Sequence, residues 1–452
     1  MCPSPGDLVD DALDLVEDIV DTAVDLVKNV VDIAVDIFNA AFSIVGMPFG
    51  LDMGAPSIDA AQIQQIGGVL VNKDAATNHV PIVYGTRRIG GSRVFVSTRG
   101  DSNKYLYVAL ILSEGQVNGY TKLYIDDNEV PLNTYAHNSQ ATPTSGYYKD
   151  KLVAQFFDGR DSQTVSSLLN EAPGWSSNHR LQGLSYIACR FEWAGFNTTD
   201  NPNNNPYKGM PRINVLLQGK KVKDATTLSA GHSTAYGSET EVFTNNPVSV
   251  LLDYMRNPRY GKGLPNDSFD FASFKTAADL CDQTVNYTDT TTGKAFTCDA
   301  VVDSGQTLMS NTKILLSVFR GIMPYQTGKY FLKIEHGGDD TDIAATPANP
   351  SLAFTITTDH IIGGVNLQGP SKKNKINRAV ITYVDPDSDY QANQVAYPTE
   401  GSADDIAYLA EDNIRLEKRY TFNMITNREQ ALQMAEVLVK KSRSNQLSLI
   451  HI

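Results

Sequence analysis

The sequence predicts an α+β protein that is mainly β. Two β-units, each a barrel or a sandwich, lie on either side of a helical unit, and a long amphipathic helix precedes them. Three changes in apolar periodicity carry this prediction. Apolar residues repeat every seven positions over residues 7–41, alternate from about residue 80, and return to helical spacing between residues 246 and 320. Alternation resumes from residue 330.

These changes divide the 452 residues into five parts. They are an acidic, heptad-like amphipathic helix (1–45), a linker (46–79), a first β-barrel unit (80–225) with an insertion at about 136–180, a helical unit (226–329), and a second β-barrel unit (330–452) with a helix at 428–441. The linker contains Pro48, Gly50, Gly54 and Pro56, which are typical chain breakers.

The N-terminal helix has a narrow acidic stripe and a broad apolar face. Asp7, Asp14 and Asp21 form one column of the heptad, and Asp11 and Asp18 begin a second column on the same side. The apolar positions expected to contact partner helices are Leu8, Val9, Leu15, Val16, Ile19, Val20, Val27, Val30 and Val31. A seven-residue period favours a helical bundle with sister chains or a partner protein. Packing on the chain's own domain and membrane insertion remain alternatives.

The alternating segments predict the strands of the first β-unit. They are Val80–Tyr84, Arg93–Ser97, Tyr105–Leu112, Tyr120–Ile125, Leu184–Phe191 and Arg212–Leu217. The third segment is nearly all apolar, so we expect it to be central in its sheet, with Leu110 and Leu112 in the core. The polar insertion is expected to hold a short helix around 162–169.

The second half of the chain is predicted to be helical first and β afterwards. Expected helices are Val248–Arg256, Phe269–Cys281 opened by Ser268, Leu308–Arg320 and Arg428–Lys441. Expected strands are Tyr330–Ile334, Phe354–Thr358, Ile361–Asn366, Arg378–Val384, Arg415–Phe422 and Leu447–Ile452.

Composition and charge exclude several classes of protein. The net charge is −13, of which residues 7–41 supply −9 through ten acidic residues and Lys28, so a basic nucleic-acid footprint is absent. The sequence contains no run of 18 uncharged apolar residues, so no ordinary transmembrane helix is predicted. The acidic N-terminus argues against a Sec signal peptide.

Four cysteines are too few for a disulfide scaffold. Cys281 and Cys298 are interpreted as separate thiols, although a pair across the intervening loop stays open.

No catalytic, cofactor-binding or metal-binding residues are predicted. The seven histidines are scattered without zinc-site spacing, and no nucleophile-elbow or Walker sequence occurs. The alternating Asp385, Asp387 and Asp389 lack the Gly and Glu of a calcium loop and are interpreted as a solvated turn. Glu192 is interpreted as a partly buried strand end. The basic spots at Arg87–Arg88 and Arg256–Lys262 are interpreted as surface ion pairs.

Three longer strings together resemble the tail hub proteins of long-tailed bacteriophages, the lambda-like tip attachment protein family. They occupy residues 80–130, 246–282 and 303–335. In the first string the matching residues are Pro81, Gly85, Arg87, Gly90, Glu114 and Gly115. In the second they are Asn257, Pro258, Arg259, Tyr260 and Gly261, within an Asn-Pro-Arg-Tyr-Gly turn that follows Leu-Leu-Asp-Tyr.

The resemblance implies a structural, non-enzymatic role in the virion, at the distal end of the tail, for a chain made in the host cytoplasm. Members of this family are homotrimers in which two tube-like β-barrels per chain match the sixfold tail tube. It further implies contacts with the distal tail protein ring, the C-terminus of the tape-measure protein, and tail fibres or other tip proteins. Phage DNA would pass through the ring without sequence-specific binding. Family members are usually longer and carry fibre regions.

Two other functions are kept as alternatives. A tail-associated enzyme that degrades cell wall or carbohydrate would need a carboxylate pair or a metal triad in a cleft. A membrane-perforating tail component, with a host membrane contact, would use residues 7–41.

Overall fold

The computed structural model describes residues 70–74, 79–193, 206–207, 209–228, 240–287, 291–335, 366–368, 375–443 and 448–450. Nearly all of the predicted N-terminal helix and linker, with every proposed partner-helix position from Leu8 to Val31, lies outside these residues. So do the predicted strand 354–358 and most of 361–366.

The described part of the chain is mainly β, with five α-helices. The helices are α1 (Pro247–Arg256), α2 (Phe271–Asp282), α3 (Leu308–Val318), α4 (Ala403–Asp412) and α5 (Arg428–Arg443). The strands are β1 (Lys73–Asp74), β2 (Ile82–Val83), β3 (Thr86–Ile89), β4 (Ser92–Arg99), β5 (Tyr105–Glu114), β6 (Val117–Ile125), β7 (Asn128–Val130), β8 (Gln140–Ala141), β9 (Leu152–Asp158), β10 (Leu184–Glu192), β11 (Ile213–Lys220), β12 (Val222–Lys223), β13 (Glu241–Val242), β14 (Thr284–Asn286), β15 (Thr292–Lys294), β16 (Val301–Val302), β17 (Gly321–Ile322), β18 (Tyr325–Gln326), β19 (Lys329–Tyr330), β20 (Lys333–Ile334), β21 (Asn366–Gln368), β22 (Arg378–Asp385), β23 (Gln391–Tyr397), β24 (Glu417–Thr421) and β25 (Ser448–Ile450).

The first β-unit contains two open sheets that share an apolar core. One sheet has the order β1-β4-β5-β10-β9-β8, and the other has the order β3-β11-β6-β7. Both sheets contribute buried residues to one apolar cluster, as in a sandwich. None of the sheets in the described residues closes into a barrel, so the barrel form of the prediction is wrong for the single chain.

Strand β5 is the central strand that its apolar sequence predicts. It pairs with β4 on one side and β10 on the other, both antiparallel. Because side chains alternate along a strand, Leu110 and Leu112 enter the core shared with the second sheet, as predicted. Tyr107 and Ala109 point the opposite way, into a smaller core that is covered by Trp175 and its neighbours.

The predicted insertion at 136–180 contributes to the sheet. Its strand β9 (Leu152–Asp158) pairs with β10. Side chains on both faces of β9 are buried, as in a central strand. The helix expected around 162–169 is replaced by turns and a short 3₁₀ helix, Leu169–Glu171. Ser166 and Gln155 hydrogen-bond to each other there at 2.6 Å, which favours a turn over a regular helix.

Polar caps set the starts of the three central helices. Asn246 accepts hydrogen bonds from the amides of Val248 and Ser249 at the start of α1. Asp270 caps α2, so this helix begins at Phe271, and the predicted start at Ser268 is wrong because that residue closes a 3₁₀ turn. Thr307 caps α3.

The second β-unit has a three-stranded sheet in the order β23-β22-β24. The predicted strands Arg378–Val384 and Arg415–Phe422 correspond to β22 and β24, and the predicted helix Arg428–Lys441 is α5. The prediction missed β23, whose residues Gln391–Gln394 are exposed and polar, and α4. The helical unit and this sheet share one apolar cluster with Ile82 and Tyr84, so the three sequence parts pack continuously.

The interpretation of the two cysteines as separate thiols is confirmed, and residues 385–389 form the predicted turn, with Asp387 and Asp389 exposed but Asp385 buried. Cys281 and Cys298 are buried, separate thiols. Asp385 caps the 3₁₀ turn Pro386–Ser388, and its carboxylate accepts hydrogen bonds from the Asp387 amide and the Asn393 side chain. Glu192 ends β10, half-buried beside Lys104 at 3.1 Å.

Candidate functional site

The residues of the first two resemblance motifs come together where the three parts of the chain meet. We call this region the junction. It consists of the β2–β3 turn (Ile82–Ile89), the end of β5, α1 with the turn after it, and the segments around Asp299 and residues 423–426. The hydrogen bonds and the ion pair that join these segments include contacts between residues more than 100 positions apart in the chain.

Gly85 allows the β2–β3 turn to approach Asp299 closely. Its φ of +65° is a conformation that favours glycine, and a Cβ there would overlap the Asp299 side chain. The next amide, of Thr86, donates to Asp299 Oδ1 at 2.7 Å. On the other side, the Gly219 amide donates to the Gly85 carbonyl at 2.6 Å, which connects the β2–β3 turn to β11.

Asp299 links the first β-unit to the second. The side chain is buried, and its second oxygen accepts a hydrogen bond from the Thr426 hydroxyl. Its backbone amide donates to the Met424 carbonyl at 3.0 Å. Burial raises the pKa of Asp299, although these hydrogen bonds and the positive charge of Arg87 oppose the shift.

Arg87 and Arg88 are buried, so their interpretation as surface residues is wrong, although Arg88 Nη2 does form an ion pair with Asp127 Oδ1 at 2.7 Å. Arg87 Nη1 donates to the carbonyls of Asn423 at 2.7 Å and Asp299 at 3.2 Å. Burial lowers the pKa of Arg87 to about 10. Arg88 stacks 4.0 Å from the Tyr124 ring centre and donates to the Asp389 carbonyl at 3.2 Å. Hydrogen bonds to carbonyls and stacking on a ring make burial of a guanidinium tolerable.

Asp253 forms a second connection, between the β2–β3 turn and α1. Its carboxylate accepts from the Tyr84 hydroxyl at 2.6 Å, the Tyr260 hydroxyl at 2.7 Å and Lys220 Nζ at 2.9 Å. Tyr84 precedes Gly85, Lys220 ends β11, and Tyr260 belongs to the Asn-Pro-Arg-Tyr-Gly turn. Burial, with the adjacent Asp253 charge, raises the pKa of both tyrosines, so they remain hydrogen-bond donors.

The two motifs also meet directly through an ion pair. Arg259 Nε lies 2.8 Å from Glu114 Oε1, with the arginine 67% exposed and the glutamate 11% exposed. The Glu114 amide donates to the Pro81 carbonyl at 2.9 Å, and Gly115 follows with a φ of +78°. Burial raises the pKa of Glu114, and the charges of Arg259 and Lys220 oppose that shift.

The remaining motif residues shape the turn after α1 and the start of the sheet. Asn257 Oδ1 accepts from the Arg259 amide at 2.9 Å, while Pro258 is exposed. Gly261 passes so close to the Tyr254 carbonyl that a Cβ would overlap it. Gly90 similarly passes close to the Val71 backbone. Close backbone packing therefore explains the two glycines, Gly90 and Gly261.

The junction is built to hold segments together, since its acidic and basic groups bind one another. Within the described residues, no group of three His, Cys, Asp or Glu side chains has an arrangement that could hold a metal ion. None of the described helices is long and apolar enough to span a bilayer.

Sequence reasoning missed Asp253, Lys220 and Asp299 as partners of the motif residues. Asp253 stands in the Leu-Leu-Asp-Tyr string that was already part of the second motif, so that string was a usable signal. Asp299 follows Cys298 in a segment with no recognisable pattern. Its role depends on a contact with residues 86 and 426, which no local pattern reveals.

Comparisons with known proteins agree with the family resemblance. The family described as "Putative phage tail protein" matches residues 295–449. The baseplate hub protein pb3 of Escherichia phage T5 is 22% identical over 435 residues, covering 81% of this chain and 42% of that protein. The chain thus spans less than half the length of this relative. Together these two similarities confirm the resemblance to phage tail hub proteins.

A solved structure was also matched. It is a chain from the virion of a native gene transfer agent (GTA) particle, with a TM-score of 0.49 and 12% identity, covering 83% of this chain and 75% of that one.

We predict that Asp253→Asn destabilises the fold by about 1.5–3 kcal/mol, because Lys220 and two buried hydroxyls lose their shared charged acceptor. The free energy of unfolding in urea, followed by the fluorescence of Trp175 and Trp193, measures the loss. The control is Asp279→Asn. This residue is 51% exposed and pairs with Lys275 one helical turn away, so the expected loss is under about 1 kcal/mol. Equal losses in the two variants would contradict the assignment of Asp253 as a junction residue.

The Glu114–Arg259 pair predicts a pH-dependent effect. The folded-state pKa of Glu114 is raised, so ionised Glu114 costs stability as pH rises through that pKa, and Arg259 reduces the cost. Arg259→Ala should therefore lose about 0.5–1 kcal/mol at pH 7.5 and much less at pH 4, where Glu114 is protonated.

Urea unfolding of the wild type and the variant at both pH values measures this difference. In a Glu114→Gln background, Arg259→Ala should have little effect at either pH. A loss that is equal at pH 7.5 and pH 4 would show that Arg259 acts through packing alone.

Proposed function

We propose that this chain is a structural tail hub protein of a tailed bacteriophage, which forms a trimeric ring that closes the distal end of the tail tube. The observation that carries the proposal is the meeting of the two motifs at the junction, where Glu114 binds Arg259 and Tyr84 shares Asp253 with Tyr260. The motif residues define one packed scaffold, and the similarity to a baseplate hub protein supports its use in a tail.

The proposed role is mechanical. In the described residues the ionisable groups of the junction are engaged in internal contacts, which suits a rigid ring element better than a reacting centre. We propose that the ring binds the distal tail protein ring above it and the C-terminus of the tape-measure protein within it, and offers an attachment site for fibres. A chain with a net charge of −13 would let DNA pass during ejection without holding it.

The two β-units would supply the tube-like part of the ring. Each chain contributes open sheets, and the outer strand β23 presents four exposed residues, Gln391–Gln394. In a trimer, the two β-units of each chain would give six around the axis, matching a sixfold tail tube. We further propose that residues 7–41 of the three chains lie near this axis, bundled with each other or with the tape-measure protein.

Electron microscopy of purified virions tests this placement. An epitope tag inserted at Gly146, an exposed turn residue with open space around it, should be labelled at the distal tail end in three copies per virion. Untagged virions are the control. Tagged chain that is absent from virions, or that lies at the head end or in six copies, would overturn the proposal.

A further inference from the structure

The outer face of α4 is apolar although it is exposed. Ile406 and Ile414, which follows the helix, are 61% and 62% exposed, the highest values among the large apolar residues described. The exposed Ala403, Ala407 and Ala410 lie on the same side of the helix, because they are three or four residues from one another or from the isoleucines. We call these five residues the Ile406 face.

The opposite side of α4 is firmly anchored to its own chain. Asp405 is buried and pairs with Arg415, and Arg443 stacks 4.1 Å from the Tyr408 ring centre while pairing with Asp412. The helix is thus held in place, and its Ile406 face stays directed outward. The exposed Glu400 and Asp404 place negative charge beside this face; Glu400 lies 3.8 Å from Arg378 Nη1, and Asp404 accepts a hydrogen bond from the Tyr397 hydroxyl. An exposed apolar face with a charged rim is typical of an interaction site.

A second exposed surface carries aromatic rings and positive charge, and so complements the Ile406 face. The β18–β19 hairpin carries Tyr325, which is 58% exposed and packs against Tyr330 with 4.8 Å between ring centres. The Lys262 ammonium lies 5.8 Å from the centre of the Tyr330 ring and is also exposed. Lys333 on β20 is exposed as well. We call these four residues the Tyr325 surface. It combines aromatic area with positive charge.

We propose that the Ile406 face of one copy binds the Tyr325 surface of the next copy. This inference rests on the proposed trimer and names the contact that builds it. The apolar residues of each surface would cover those of the other, while Glu400 and Asp404 would face Lys262 and Lys333. Pairing two Ile406 faces with each other would instead bring acidic rims together, and pairing two Tyr325 surfaces would bring lysines together.

A contact between two different surfaces has a structural consequence. Each copy uses one surface to bind the copy before it and the other to bind the copy after it. Such head-to-tail contacts close into a ring when the rotation fits, and they explain a cyclic trimer without a two-fold axis. The acidic segment 7–41 is another candidate occupant of the basic Tyr325 surface, and the experiment distinguishes it.

Two double variants of the full chain test the contact by light scattering. One is Ile406→Ser with Ile414→Ser, and the other is Tyr325→Ser with Lys262→Ser. The wild type should have three times the chain mass of 49.4 kDa. Each double variant alone should have the mass of one chain. An equal mixture of the two should give a two-chain species, because one intact Ile406 face and one intact Tyr325 surface remain.

Controls separate folding from assembly. Both double variants should keep the wild-type circular dichroism spectrum and unfold in one cooperative transition, since the substituted residues are exposed; loss of the trimer alone should lower the melting temperature. Val96→Ser, at an apolar residue that is 44% exposed on β4, should leave the trimer intact.

Three results would overturn the inference. If the trimer persists in either double variant, that surface is not the contact. If only the α4 variant dissociates, the Ile406 face binds something other than the Tyr325 surface. If the Tyr325 variant stays trimeric while residues 7–41 become sensitive to protease, that segment occupies the surface. A wild type with the mass of one chain would instead remove the proposed trimer itself, and the inference with it.

Discussion

The buried Asp299 carboxylate is the constraint on which the arrangement of the three parts depends. It receives the Thr86 amide from the first β-unit and the Thr426 hydroxyl from the second, beside the buried Arg87 guanidinium. A carboxylate in this environment is costly unless its hydrogen bonds are made, so the placement of the β2–β3 turn that brings the Thr86 amide to Asp299 is favoured. Gly85 is required for the same reason, because a larger residue would fill the space that Asp299 occupies. The apolar cluster that joins Tyr84, the helices and the second sheet then packs around this fixed geometry.

The proposed hub role needs stiffness between the parts of the chain, and the directional contacts of the junction suit that role. Apolar packing alone tolerates small shifts, whereas the Asp253 contacts to Tyr84, Tyr260 and Lys220 fix both distance and orientation. The exposed surfaces behave differently. On α4 and on the β18–β19 hairpin, large apolar residues remain uncovered in the single chain, which suits the proposed contact between copies.

The sequence predicted the parts of the fold that follow local periodicity. Strand β5 and helices α1 and α5 carry strong patterns, and Leu110 faces the core as its alternation predicts. The prediction failed where a long-range contact decides the structure. Strand β9 looked like part of a polar insertion because its pairing partner, β10, lies beyond a long irregular segment. Arg87 and Arg88 looked like surface charges because two of the backbone carbonyls that bind them in the interior, those of Asn423 and Asp389, lie some 300 residues away. The motif positions could be recognised from the family resemblance. The ion pair between Glu114 and Arg259, however, could be seen only in the three-dimensional structure.

Native-state hydrogen exchange of the wild type and Asp299→Ala tests most directly whether the junction makes the parts one cooperative unit. In the wild type, the slowest amides of β5 in the first unit and of α5 in the second should open with the same free energy. In Asp299→Ala, the α5 amides should open at a lower free energy than those of β5, because the Thr86 amide and Thr426 lose their common acceptor. Separate opening of β5 and α5 already in the wild type, or unchanged common opening in the variant, would contradict the central role of Asp299.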